Sequence, residues 1–218
     1  MENEVKDSIF SFVYKMALRD AIMRTAYPWP PKETAPEKEK QREENIQRIR
    51  ACMFKNDCAK TLIKNYIDAL MNSTPMDFYQ TASKVKKAYI DNGAAAFTFG
   101  NAQKVLNMTV KYMYIAAYQK EIHGDLHEKF KDCHCPMDSI MVERVIDGIK
   151  EQTHLEEVQT ILAGHKKDWR GFLRNPWSRM NTDEDIEQYE LFQRLVKYLS
   201  GQAGRIPIEY DFKVWNES

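Results

Sequence analysis

Few residues in the sequence have the type and spacing for chemistry. Lys104 stands early in the segment FGNAQKVLNMTVKYM, and Asp138 stands further along in CPMDSIMVERV. If these segments open two neighbouring helices, the amine and the carboxylate could converge on one cleft. The amine would then act as a nucleophile and the carboxylate as a stabiliser of positive charge. Lys111 is a competing amine on the same helix, and an Asp at a helix start is by itself an ordinary cap. Ahead of Lys104, Gly100 offers a place for the chain to turn between two helices. The first amides of a helix starting there, around Gly100, Asn101 and Gln103, carry partial positive charge and could grip a phosphate. An ordinary interhelical loop would explain the same residues.

Two further groupings could bind ligands. His123, His127, Cys133 and Cys135 follow H-x3-H-x5-C-x-C, four N and S atoms of the kind that close a tetrahedral zinc site. The single residue between the cysteines is short for such a site, and a polar helix end followed by half-buried thiols is the simpler reading. The stretch HKKDWRGFLRNPWSR places Lys166, Lys167, Arg170 and Arg174 among Trp169, Phe172 and Trp177. That mixture suits phosphate contacts and base stacking. It equally suits an amphipathic helix with its aromatics in the core and its cations in water.

The segments around Lys104 and Asp138 resemble the helix-hairpin-helix DNA glycosylases, in particular the archaeal type of 8-oxoguanine glycosylase. FGNAQKVLNMTVKYM is similar to the family's hairpin-and-lysine segment, and PMDSIMVERV to its proline-x-Asp segment; together they span Phe97 to Val145. Where the family's hairpin carries a first glycine, this chain has Thr98. The resemblance implies a base-excision glycosylase, with or without lyase activity, in which Lys104 is the nucleophile and Asp138 the catalytic carboxylate. It implies DNA as partner, no cofactor, and an extruded base lodged against aromatics, for which Phe97, Phe99, Tyr112 and Trp169 are the candidates. The alternative function is a non-enzymatic helical protein that binds a protein or nucleic-acid partner through its charged helix and its basic aromatic stretch.

These residues need helices to position them, and the apolar spacing supplies helices. At 218 residues with 43% hydrophobic and 29% charged residues, the chain can bury a core without disulfides. Lys plus Arg and Asp plus Glu are each 32, so the net charge gives no sign of a polyanionic partner, although a local basic surface remains open. The N-terminal segment is acidic early and no apolar run is long enough to span a bilayer, so no membrane partner and a cytoplasmic location are expected. Four cysteines without an export signal suggest reduced thiols.

Helical periodicity runs through Ile9–Met23, from about Glu37 to Phe54 with a solvated first half, and through 59–70 after a cap at Asp57. Ser73 or Thr74 before Pro75 should open the next helix, which stops at Asn92-Gly93. The most apolar helix follows from Asn101, then others from Pro136, at 154–163, at 166–173 and from Asn181 or Thr182 to about Ser200. Alternation in RIPIEYDFKVW reads as an extended strap. The expected fold is therefore all-α, a single helical domain over 1–218 arranged as a multi-helix orthogonal bundle. It would carry a helix-hairpin-helix motif, a proline-rich connector at 28–36 and an extended tail at 202–218.

Overall fold

The computed structural model describes residues 2–23, 31–118, 123–165 and 168–217. The fold is all-α, with no strand among the described residues. None of their helices is long and apolar enough to cross a membrane. The chain forms two compact units, Met1–Ala116 and Ala117–Ser218.

The first unit contains α1 (Glu2–Leu18), α2 (Pro36–Phe54), α3 (Asp57–Met71), α4 (Phe78–Asp91) and nearly all of α5 (Phe99–Tyr118). α1 buries Phe10, Val13, Tyr14, Ala17 and Leu18 and leaves Phe12 66% exposed. It ends in a wide π-helical turn, Arg19–Met23. α2 starts with Pro36 in its first turn, where a missing amide costs nothing, and buries only Met53. Its charged first half is solvated, as its composition predicts.

Two starts differ from expectation. Asn56, not Asp57, caps α3: its Oδ1 accepts from the Ala59 amide at 3.0 Å while its Nδ2 donates to the Ala88 carbonyl at 2.9 Å. A carboxylate has no donor for that second bond. α4 opens at Asp77, which accepts from the Gln80 amide, and not at Ser73 or Thr74. Asn92-Gly93 ends α4 as expected, with Gly93 at φ +94, a backbone state that costs a glycine little.

The second unit contains α6 (His123–Phe130), α7 (Ser139–Lys150), α8 (Glu156–Ile161), α9 (Trp169–Arg174), α10 (Asp183–Gln202) and α11 (Pro207–Asn216). α10 is its centre and packs against α7, α8, α9 and α11. It buries Tyr189, Leu191, Phe192, Leu195, Val196 and Leu199. Thr182 and Asp185 close its start with a reciprocal capping box.

The expected strap at 202–218 is corrected: residues 207–216 are helix α11. Ile206, Ile208, Tyr210, Phe212 and Val214 alternate, but Pro207, Tyr210, Asp211 and Val214 also fall at helical spacing, and the latter four are buried. An isolated strand would leave its backbone unpaired, whereas a helix satisfies it internally. Of the expected 28–36 connector, residues 31–35 precede α2 without helix and 28–30 lie outside the described residues.

Candidate functional site

The start of α5 corrects the expected turn. Gly100 lies within the helix, and the positive-φ glycine between α4 and α5 is Gly93. Thr98 caps α5: its Oγ1 accepts from the Asn101 amide at 3.1 Å while Asn101 Oδ1 accepts from the Thr98 amide at 3.1 Å. The Ala102 amide donates to the Thr98 carbonyl at 3.1 Å. Thr98 therefore occupies helix-start donors that a phosphate would use. Gly100, Asn101 and Gln103 are all buried in this arrangement.

Behind this cap, α5 is buried without interruption from Phe99 to Lys111. A helix buried all round is normally apolar, yet this one includes Asn101, Gln103, Lys104, Asn107, Thr109 and Lys111. Thr109 returns its hydroxyl to the Val105 carbonyl at 2.8 Å, a local solution. Gln103 and Asn107 pair across one helical turn, Asn107 Nδ2 donating to Gln103 Oε1 at 3.1 Å. Lys104 is 6% exposed and Lys111 8%. Buried lysines are rare because the ammonium loses its hydration, so they need compensating interactions.

The base-pocket candidates in the first unit are already packed. Phe97 stacks on Tyr89 with ring centres 4.2 Å apart, and Phe99 lies parallel to Tyr79 at 6.4 Å. Tyr112 is half-buried and donates its phenol to Asp20 Oδ2 at 2.8 Å, tying α5 to the π-helical turn. The hydroxyls of Tyr14 and Tyr89 form a buried hydrogen bond. Burial pushes Tyr14 up to about 12 and raises Tyr89 well above the usual phenol range.

In the second unit, Asp138 is half-buried and caps α7, its Oδ1 accepting from the Met141 amide at 3.0 Å. The segment leading into it is held by Gln193 of α10, which accepts from the Cys135 amide at 2.9 Å and donates to the Cys135 carbonyl at 2.7 Å. His134 Nδ1 and the Tyr189 hydroxyl are 3.0 Å apart. Burial first, and then the nearby Lys197 charge, bring His134 down to about 4; burial pushes the Cys133 thiol up to about 12.

Three of the four residues of the zinc alternative have described side chains. Among the described residues no three His, Cys, Asp or Glu side chains are grouped to hold a metal. His127 faces Glu209 at 3.8 Å, Cys133 and Cys135 are buried and form no disulfide, and the side chain of His123 lies outside the described residues.

In the basic aromatic stretch, Trp169 is buried, with the Arg170 guanidinium 5.4 Å from its ring centre. Arg174 makes two bonds to Glu143, at 2.8 and 2.7 Å. Lys166 and Lys167 lie outside the described residues. Sequence reasoning missed a groove of about 710 Å³ beside this stretch, lined by His165, Asp168, Phe172, Asn175, Glu184 and Glu187. It also missed Asn107 and Gln193, whose one available signal was an amide placed among core positions. Lys104 belongs to the first unit and Asp138 to the second. Comparison of the chain with protein-family models, with curated proteins and with solved structures finds no match.

Proposed function

We propose that the protein is a DNA base-excision glycosylase acting on a damaged or modified base, with Lys104 as its nucleophile and Asp138 as its carboxylate. The observation that carries this reading is the burial of Lys104 on α5 among Gln103, Asn107 and Lys111. An amine withdrawn from water in a helix core gives up its hydration, so its placement there calls for a role beyond packing.

In this chemistry the unprotonated amine attacks the sugar carbon C1′ as the bond to the base breaks, and the base leaves with the bonding electrons and a proton. A carboxylate stabilises the positive charge that develops on the sugar. Opening of the sugar ring then gives an imine between the lysine and C1′, which borohydride reduces to a stable amine. Phosphate contacts would come from the basic stretch containing Arg170, and not from the capped start of α5.

The test is borohydride trapping on duplexes bearing an abasic site, uracil or 8-oxoguanine. The expected result is a covalent protein–DNA adduct that Lys104→Gln abolishes and Lys111→Gln retains, with Asp138→Asn slowing its formation. Absence of an adduct from the unaltered protein on all three duplexes would overturn the lysine chemistry. Salt-dependent DNA binding without any adduct would favour the non-enzymatic binding reading, to which the solvated face of α2 and the exposed Phe12 are suited.

A further inference from the structure

Gln103 is fully buried, and its amide has a defined orientation. Its Oε1 accepts from Asn107, while its Nε2 has no hydrogen-bond partner. A buried donor left without an acceptor weakens the folded state, because it has given up its bonds to water without replacement. An apolar side chain of similar length would remove that penalty.

The surroundings indicate what the donor could bind. By helical geometry Gln103, Asn107, Lys111 and Lys104 fall within an arc of about 100° on α5. Ammonium groups donate only, and the Asn107 amide nitrogen is directed to Gln103. The one donor on this stripe shown without a partner, Gln103 Nε2, therefore complements an acceptor on a ligand.

Building on the glycosylase reading, we propose that Gln103 recognises the target base, its Nε2 donating to an exocyclic carbonyl oxygen of a base swung out of the duplex. Uracil and 8-oxoguanine present such an oxygen, whereas adenine presents an amino donor at the corresponding position. Binding must open the packing over the first turns of α5, because Gln103 is inaccessible in the free chain. Lys104 and Lys111 retain 6% and 8% exposure and mark where the stripe meets solvent.

The experiment compares the unaltered protein with Gln103→Met and Gln103→Glu. Fluorescence anisotropy is read on duplexes carrying uracil or 8-oxoguanine and on a duplex carrying a tetrahydrofuran abasic analogue, alongside thermal unfolding of each protein. Gln103→Met is expected to unfold at a higher temperature, to bind the abasic duplex unchanged, and to bind a base-bearing duplex about tenfold more weakly. Gln103→Glu should weaken base-dependent binding further, because its carboxylate repels the carbonyl oxygen. Unchanged affinity of Gln103→Met for both base-bearing duplexes overturns the assignment but leaves the Lys104 adduct on the abasic sugar unaffected. Equal weakening on all three duplexes, with a lower unfolding temperature, overturns it in favour of a structural role. If the unaltered protein neither prefers a damaged duplex nor forms the borohydride adduct, this proposal and the glycosylase reading fail together.

Discussion

α5 and α10 are both 20 residues long and begin alike, with a threonine capping the third residue of the helix, which bonds back to it: Thr98 with Asn101 and Thr182 with Asp185. Behind the cap they differ. The first turn of α10 exposes Asp183 and Glu184; of its two buried glutamines, Gln193 bonds a backbone amide and carbonyl, and Gln188 donates to the Leu173 and Asn175 carbonyls while its Oε1 has no hydrogen-bond partner among the described residues. α5 instead buries Asn101, Gln103, Lys104, Asn107 and Lys111. A cap is thus a local device compatible with either environment, and only the wider packing decides whether the polar residues after it meet water. Each helix buries a glutamine with one unsatisfied side-chain atom, but α10 buries no charged residue, whereas α5 buries two lysines, a departure expected where function competes with stability.

The largest effect should come from the apolar side of α10. Phe192→Ala is expected to cost about 3–5 kcal/mol in urea unfolding, because the ring is fully buried. A cost below about 1 kcal/mol would mean that α10 is not the core of its unit.

Next in size is a pH effect at His134, which meets α10 through Tyr189. Its folded value of about 4 lies below the ordinary 6.5, so between those values the unfolded chain binds the additional proton. The contribution is full above about pH 6.5, declines as pH falls, and levels off below about 4, amounting to about 3 kcal/mol. His134→Gln should flatten that part of the stability–pH curve; an unchanged slope would locate the titration elsewhere.

The smallest effect tests the two caps directly. Thr182→Ala removes an exposed cap and should cost about 1 kcal/mol. Thr98→Ala leaves the Asn101 amide without its acceptor at a buried helix start and should cost about 2 kcal/mol. Equal losses would remove the distinction between the helices.

Much of the helical framework was legible because burial on one side imposes apolar spacing, as in Ile63, Tyr66, Ile67 on α3 and Met141, Val145, Ile149 on α7. Asp138 as a cap was legible for the same local reason, its short side chain preceding an apolar periodic run. α11 was missed because its apolar residues fit two periods at once, and Pro207, which suits the first turn of a helix, was the signal to weigh. At the site, Lys104 could be singled out by its position, but its burial could not. Whether a lysine early in a helix is covered depends on residues distant in the chain, which periodicity does not report.

The double bond from Gln193 to the Cys135 peptide has a mechanical consequence. An irregular segment with no strand beside it is fastened to α10 through the same pair of backbone groups that a neighbouring strand would engage. Asp138, three residues on, thereby inherits its position from the most deeply seated helix of its unit and does not swing with a free loop. Shifting that carboxylate means breaking both bonds or carrying the helix along, so the chain behind it behaves as a bracket and not as a hinge.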